Sequence, residues 1–154
     1  MTDSCVHCPL VPRRDFITGA FAFAAGLALP VRFARGVRLD TDEHAYPIPD
    51  ADTVSIDKDL QVIVVRYQQK AYAFNLSCPH QNTALRWHPE DGQFQCPKHH
   101  SRYQPDGIFI SGRATRSMDR FAVRRDAANM VVDLDQLYRQ DQNPAEWGAA
   151  FLSL

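Results

Sequence analysis

The sequence predicts an all-β fold of antiparallel strands in which loops carry the chemistry. Ten prolines and nine phenylalanines, with few long periodic helical runs, favour a β-rich, loop-rich chain. Short runs that alternate in polarity or fill with Val and Ile recur through its middle, separated by turn-forming clusters. At 154 residues the chain suffices for one domain with its own core and is too short for two plus linkers. A formal net charge of −1 argues against a nucleic-acid partner, which would require a basic stripe. There is no repeat or low-complexity tract.

Taken in order, residues 1–36 read as an export segment. Arg13 and Arg14 sit just before an apolar, small-residue run from Ile17 to Leu29. The pair and the run together resemble a twin-arginine signal, which implies the twin-arginine translocation machinery as a partner and a periplasmic or other extracytoplasmic destination. The run is shorter than the roughly twenty residues of a bilayer-crossing helix. Cleavage near Ala34-Arg35-Gly36 leaves a mature chain from Val37; an uncleaved run leaves an N-terminal membrane anchor. From Val37 onward thirteen Lys and Arg face sixteen Asp and Glu, a mildly acidic balance.

Residues 37–50 are polar and punctuated by Pro47 and Pro49, and read as a linker. Three antiparallel strands follow in Thr53–Ile56, Gln61–Tyr67 and Lys70–Leu76, with turns at Asp57-Lys58-Asp59 and Gln68-Gln69. Short strands at Leu85–His88 and Gln93–Gln95 flank the turn Pro89-Glu90-Asp91-Gly92. Later strands are expected at Gly107–Ile110, Phe121–Arg125 and Met130–Asp133. Residues 51–134 are the domain; 135–154 form a C-terminal extension with short helical turns over Gln136–Gln140 and Pro144–Leu152, Pro144 being tolerated in a first turn.

The third strand runs into Cys78-Pro79-His80, and after fifteen intervening residues Cys96-Pro97-Lys98-His99 answers it. Each loop supplies one thiolate and one imidazole. A binuclear iron–sulfur centre with two Cys on one iron and two His on the other needs that mixture. A tetrahedral zinc accepts the same donors, although zinc loops usually contribute a Cys pair or a His pair. The other cysteines, Cys5 and Cys8, precede the export run, so no pair remains for a structural disulfide in the domain. Cys5-Val6-His7-Cys8 lacks a second half and reads as part of the targeting segment.

With His100-Ser101-Arg102-Tyr103 and Asp106-Gly107 following, the two boxes closely resemble a Rieske [2Fe–2S] domain over roughly residues 50–134. The resemblance implies stacked antiparallel sheets with an inserted cluster-binding subdomain. It also implies a Rieske-type [2Fe–2S] cofactor, with Cys78 and Cys96 on the buried iron and His80 and His99 on the outer one. By position, Ser101 and Tyr103 match the hydroxyls that raise the potential in some members. Imidazole ligands lower the negative charge of a cluster relative to thiolates, which eases reduction.

Three departures stand out. Thr83 and Lys98 occupy the positions of the two cysteines that brace the loops in quinol-oxidising relatives. His100 stands where a glycine is common. The covering loop, Ser111-Gly112-Arg113-Ala114-Thr115, has no proline and is expected to be looser or shaped by Arg113 and Arg116 for a different partner. The resemblance implies an exported one-electron carrier between redox proteins, quinol-linked or cytochrome. Other readings are the iron–sulfur subunit of a periplasmic oxidoreductase or cytochrome bc-like complex, and the ferredoxin of an oxygenase system; no residues are assigned a catalytic role.

Overall fold

The computed structural model describes residues 42–154. Arg13, Arg14, the apolar run, Cys5 and Cys8 lie outside the described residues. The order of elements is β1 (Glu43–Pro47), β2 (Thr53–Asp57), β3 (Val62–Tyr67), β4 (Lys70–Asn75), β5 (Arg86–His88), β6 (Gln93–Gln95), β7 (Arg102–Tyr103), β8 (Phe109–Ser111), β9 (Arg120–Asp126), β10 (Asn129–Tyr138), α1 (Pro144–Ala149) and β11 (Leu152–Ser153). Seven strands form one antiparallel sheet in the order β1-β10-β9-β4-β3-β2, with β11 on β4; the other four form a second, β5-β6-β7-β8.

Strands β3 and β4 are central because they are buried on both faces. Their continuous apolar runs, Val62–Val65 and Ala71–Phe74, feed two cores by alternation. Val62, Val64, Ala71 and Ala73 pack with Phe121, Met130, Val132 and Leu152. Ile63, Val65, Tyr72 and Phe74 pack with Phe94, Tyr103 and Met118 under the smaller sheet. The turn between them is Gln68-Gln69, both left-handed at φ 49° and 60°. Such a two-residue turn matches the twist of the strands it joins.

Strand β1 lies in the segment read as a linker. It pairs only with β10, Glu43 opposite Asp133, so no neighbouring stretch of sequence announces it. As an edge strand it tolerates Pro47 and an exposed, polar pattern; only Tyr46 packs inward, its hydroxyl donating to Asp57 at 3.0 Å. The expected helical turn at Gln136–Gln140 is also corrected. Strand β10 continues to Tyr138, where Leu137 and Tyr138 pair with Phe121 and Arg120 beyond an irregularity after Asp133. The polar residues in that irregularity hid the strand; the helix is confined to Pro144–Ala149. Among the described residues no helix is long and apolar enough to cross a membrane.

Arg120 ties the C-terminal segment to this framework. It is 4% exposed and donates to the carbonyls of Trp147 (2.9 Å) and Asp106 (2.8 Å). Its guanidinium lies 3.8 Å from the Trp147 ring centroid and 4.8 Å from that of Tyr72. Burial lowers its pKa, and the carbonyls and aromatic faces supply the compensation. Arg120→Met is expected to cost roughly 2–4 kcal/mol in urea unfolding, because two carbonyls lose their donor along with the ring contacts. Arg120→Lys should recover only part of that, an ammonium having no fork; a cost below about 0.5 kcal/mol for Met would contradict this account.

Candidate metal centre

Alternation delivers both sulfurs inward. The chain stays extended past β4, as Leu76 donates to the Gln61 carbonyl and Ser77 bridges Ala84. Phe74, Leu76 and Cys78 therefore share a face. On β6, Phe94 sets the same face for Cys96. Cys78 and Cys96 are 0% and 2% exposed and belong to one core. Phe94 pairs across the sheet with Tyr103, whose buried hydroxyl reaches the Cys78 sulfur at 3.4 Å.

The two Cys–His loops are twins in their backbone. Cys78 N–H donates to the Thr83 carbonyl (2.8 Å) and Asn82 N–H to the Cys78 carbonyl (2.9 Å). In the second loop Cys96 N–H donates to Ser101 (2.9 Å) and His100 N–H to Cys96 (2.9 Å). The fifth residue of each is left-handed, Asn82 at φ 50° and His100 at φ 58°. This explains why glycine suits position 100. Histidine and asparagine are among the non-glycine residues that visit that region most readily. In the sequence the two boxes differ, one residue separating Cys from His in the first and two in the second, and the hydrogen bonds are what reveal the equivalence.

From these loops His80 and His99 approach with ring centroids 4.9 Å apart, inclined at 67°. The Nδ1 atoms of both are buried and have no hydrogen-bond partner. Burial first, then His80, Arg113, Lys98 and His100, lowers the His99 pKa and favours the neutral ring. Burial raises the Cys78 thiol pKa, against the opposing hydrogen bonds from Tyr103 and the His80 backbone. A thiolate at this depth needs a metal cation beside it. Tyr103 is held well above the ordinary phenol range, mainly by burial and then by Cys78, so it stays a protonated donor.

Two buried sulfurs and two partnerless imidazole nitrogens on facing loops fit a binuclear iron–sulfur cluster. The covering loop is not loose. Ser101 Oγ accepts from the N–H groups of Arg113 and Ala114, both at 3.1 Å, and a side chain at Gly112 (φ 115°) would collide with Ser101 Cα. Arg116 is turned inward to Asp119 through two 3.0 Å bonds, and of the two arginines only Arg113 is exposed.

The family model of the Rieske [2Fe–2S] domain matches residues 42–122. Iron–sulfur subunit 3 of the cytochrome b6-f complex of Nostoc sp. is 50% identical over 38 residues, 25% of this chain and 21% of that protein. The chloroplastic cytochrome b6-f iron–sulfur subunit of Bigelowiella natans is 31% identical over 62 residues, 40% of this chain and 25% of that protein. The chain thus matches about a fifth to a quarter of these relatives' length. A solved plasma-membrane Rieske protein of Synechocystis shares 24% identity, with 53% of this chain and 85% of that one covered at a TM-score of 0.44.

Removing the Ser101 hydroxyl leaves two loop N–H groups without an acceptor. Ser101→Ala should cost about 1–3 kcal/mol and speed amide hydrogen exchange at Arg113 and Ala114 selectively. Gly112→Ala should do the same more severely, the left-handed backbone adding to the steric conflict. Unchanged exchange at those two amides in Ser101→Ala would mean that the loop is held by something else.

Proposed function

The chain belongs to the Rieske [2Fe–2S] domain family, and from that premise we propose that it is an exported one-electron carrier whose cluster is held by Cys78, His80, Cys96 and His99. The observation that carries the ligand assignment is the pair of orphaned, buried Nδ1 atoms on imidazoles whose centroids lie 4.9 Å apart, on the same two loops as two buried free thiols. When bound, the cluster supplies reversible one-electron oxidation and reduction. The protein's part is to hold it dry on the sulfur side and reachable on the imidazole side. His80 and His99 are half-buried at the tip of the loops, whereas the cysteines are sealed beneath.

Tyr103 donates to the Cys78 sulfur, and such a bond strengthens as electron density on the sulfur grows, which favours the reduced state. Ser101 holds the loop that covers the site. Export through the twin-arginine machinery, with Arg13 and Arg14 as the signal, accords with a domain that must fold around its cofactor before crossing a membrane. A second reading is an iron–sulfur subunit in a quinol-linked complex. It is favoured by the names of the matching relatives, which are cytochrome b6-f subunits; co-purification of a cytochrome subunit from the native source would select it over a free carrier.

Purified protein should carry iron and acid-labile sulfide in equal amounts and give a Rieske-type electron paramagnetic resonance signal on reduction. A colourless protein with stoichiometric zinc would overturn the assignment. Tyr103→Phe is expected to lower the midpoint potential by tens of millivolts, since one kcal/mol of differential stabilisation is about 40 mV for one electron. An unchanged midpoint with an unchanged visible spectrum would remove Tyr103 from this role.

A further inference from the structure

Charge is distributed unevenly over the domain. The three segments that form the site, residues 76–88, 93–105 and 108–118, carry Arg86, Lys98, Arg102, Arg113 and Arg116 and no carboxylate. The rest of residues 42–154 holds fifteen Asp and Glu against seven Lys and Arg. Arg116 is engaged by Asp119 and Asp141. The other four are exposed, and none of them forms an ion pair among the described residues.

The register shows where they sit. Arg86 pairs with Gln95, Gln95 with Arg102, and Arg102 with Ser111. Cross-strand partners project from the same face, so Arg86 and Arg102 line one row on the outer face of the smaller sheet. Gln95 in that row directly precedes Cys96, and Ser111 at its end leads through Gly112 to Arg113. Lys98 sits between Cys96 and His99. Arg113, Lys98 and His100 all lie near enough to His99 to act on it electrostatically. Lys98 and Arg113 therefore stand on the His99 side of the site, the edge through which an electron would leave, and Arg102 continues the positive charge along the neighbouring strand.

We propose that this tip is a docking face for a redox partner protein with an acidic patch around its own cofactor, Lys98, Arg102 and Arg113 supplying the complementary charge. The inference rests on the electron-carrier reading. Complementary charge steers encounter and raises on-rates, and the gain disappears as salt screens it. An anionic lipid surface would satisfy the same charges. A protein is favoured because Lys98 and Arg113 stand beside His99, and a lipid headgroup takes no electron. The acidic remainder of the domain would repel such a partner elsewhere and so orient it tip-first.

The test compares one acceptor in two charge forms: native cytochrome c, which is basic, and the same protein with its lysines succinylated, which is acidic. In each reaction the reduced holoprotein gives up one electron and ferric haem becomes ferrous. The succinylated form should be reduced at least tenfold faster at low salt. That advantage should vanish with added salt, and Lys98→Glu with Arg102→Glu and Arg113→Glu should reverse the preference. Salt dependence of the unsubstituted protein keeps the question answerable if the triple variant does not fold. Equal rates at low salt for the two forms overturn the proposal, as does binding to phosphatidylglycerol vesicles that leaves both rates unaltered by salt. Mediated electrochemistry separates the two readings: a reversible one-electron wave with no charge preference removes only the docking face, and no wave removes the carrier itself.

Discussion

Side chains along a strand alternate, and that geometry puts Cys78 and Cys96 in the same dry layer. Phe74, Leu76 and Cys78 follow one face of β4 and its extension; Phe94 and Cys96 follow one face of β6. A slip of one residue in either strand would turn a sulfur toward solvent and a polar neighbour, Ser77 or Gln95, into the core. Tyr103 is placed by the same rule, through its pairing with Phe94. The phenol that touches Cys78 is therefore a consequence of register rather than of loop conformation.

The two loops are not joined by a disulfide, since Thr83 and Lys98 stand at the positions that would carry one. Each loop is instead closed on itself by the same pair of backbone bonds, and each uses a left-handed residue to make the turn. The second is further fastened to the covering loop by Ser101. Hydrogen bonds of this kind individually contribute about 1 kcal/mol, so the brace is distributed. Rigidity here comes from several modest contacts that all have to form together.

The central hairpin and the short strands around the two Cys–His loops were legible because their signals are local. Apolar runs, turn residues and mixed Cys–His boxes all lie within a few positions of one another. Strand β1 was not legible, because its partner is nearly ninety residues away and an exposed edge strand carries no apolar pattern. The tail of β10 was hidden by the polar irregularity that precedes Leu137. At the site, Ser101 was recognisable as a hydroxyl near the ligands, but its two loop N–H partners depend on a chain reversal at Gly112 that spacing does not reveal. Arg116 looked free for the same reason; Asp119 and Asp141 meet it only in the folded chain.

The C-terminal segment bears on the site through a continuous set of contacts. Gln140 accepts from the Ser117 N–H at 3.0 Å, Asp141 lies 3.5 Å from Arg116, and the Trp147 indole donates to the Met118 carbonyl at 2.8 Å. Residues 116–118 are the return of the covering loop, and Met118 N–H in turn donates to Gly107. Arg120 then joins Trp147 to Asp106, in the turn between β7 and β8. Both ends of the covering loop are thus fixed, one by Ser101 beside the ligands and one by the C-terminal segment. A stretch remote from the Cys–His loops in sequence thus governs how firmly the 111–115 loop is held, because buried polar groups at 117, 118 and 120 have their partners there.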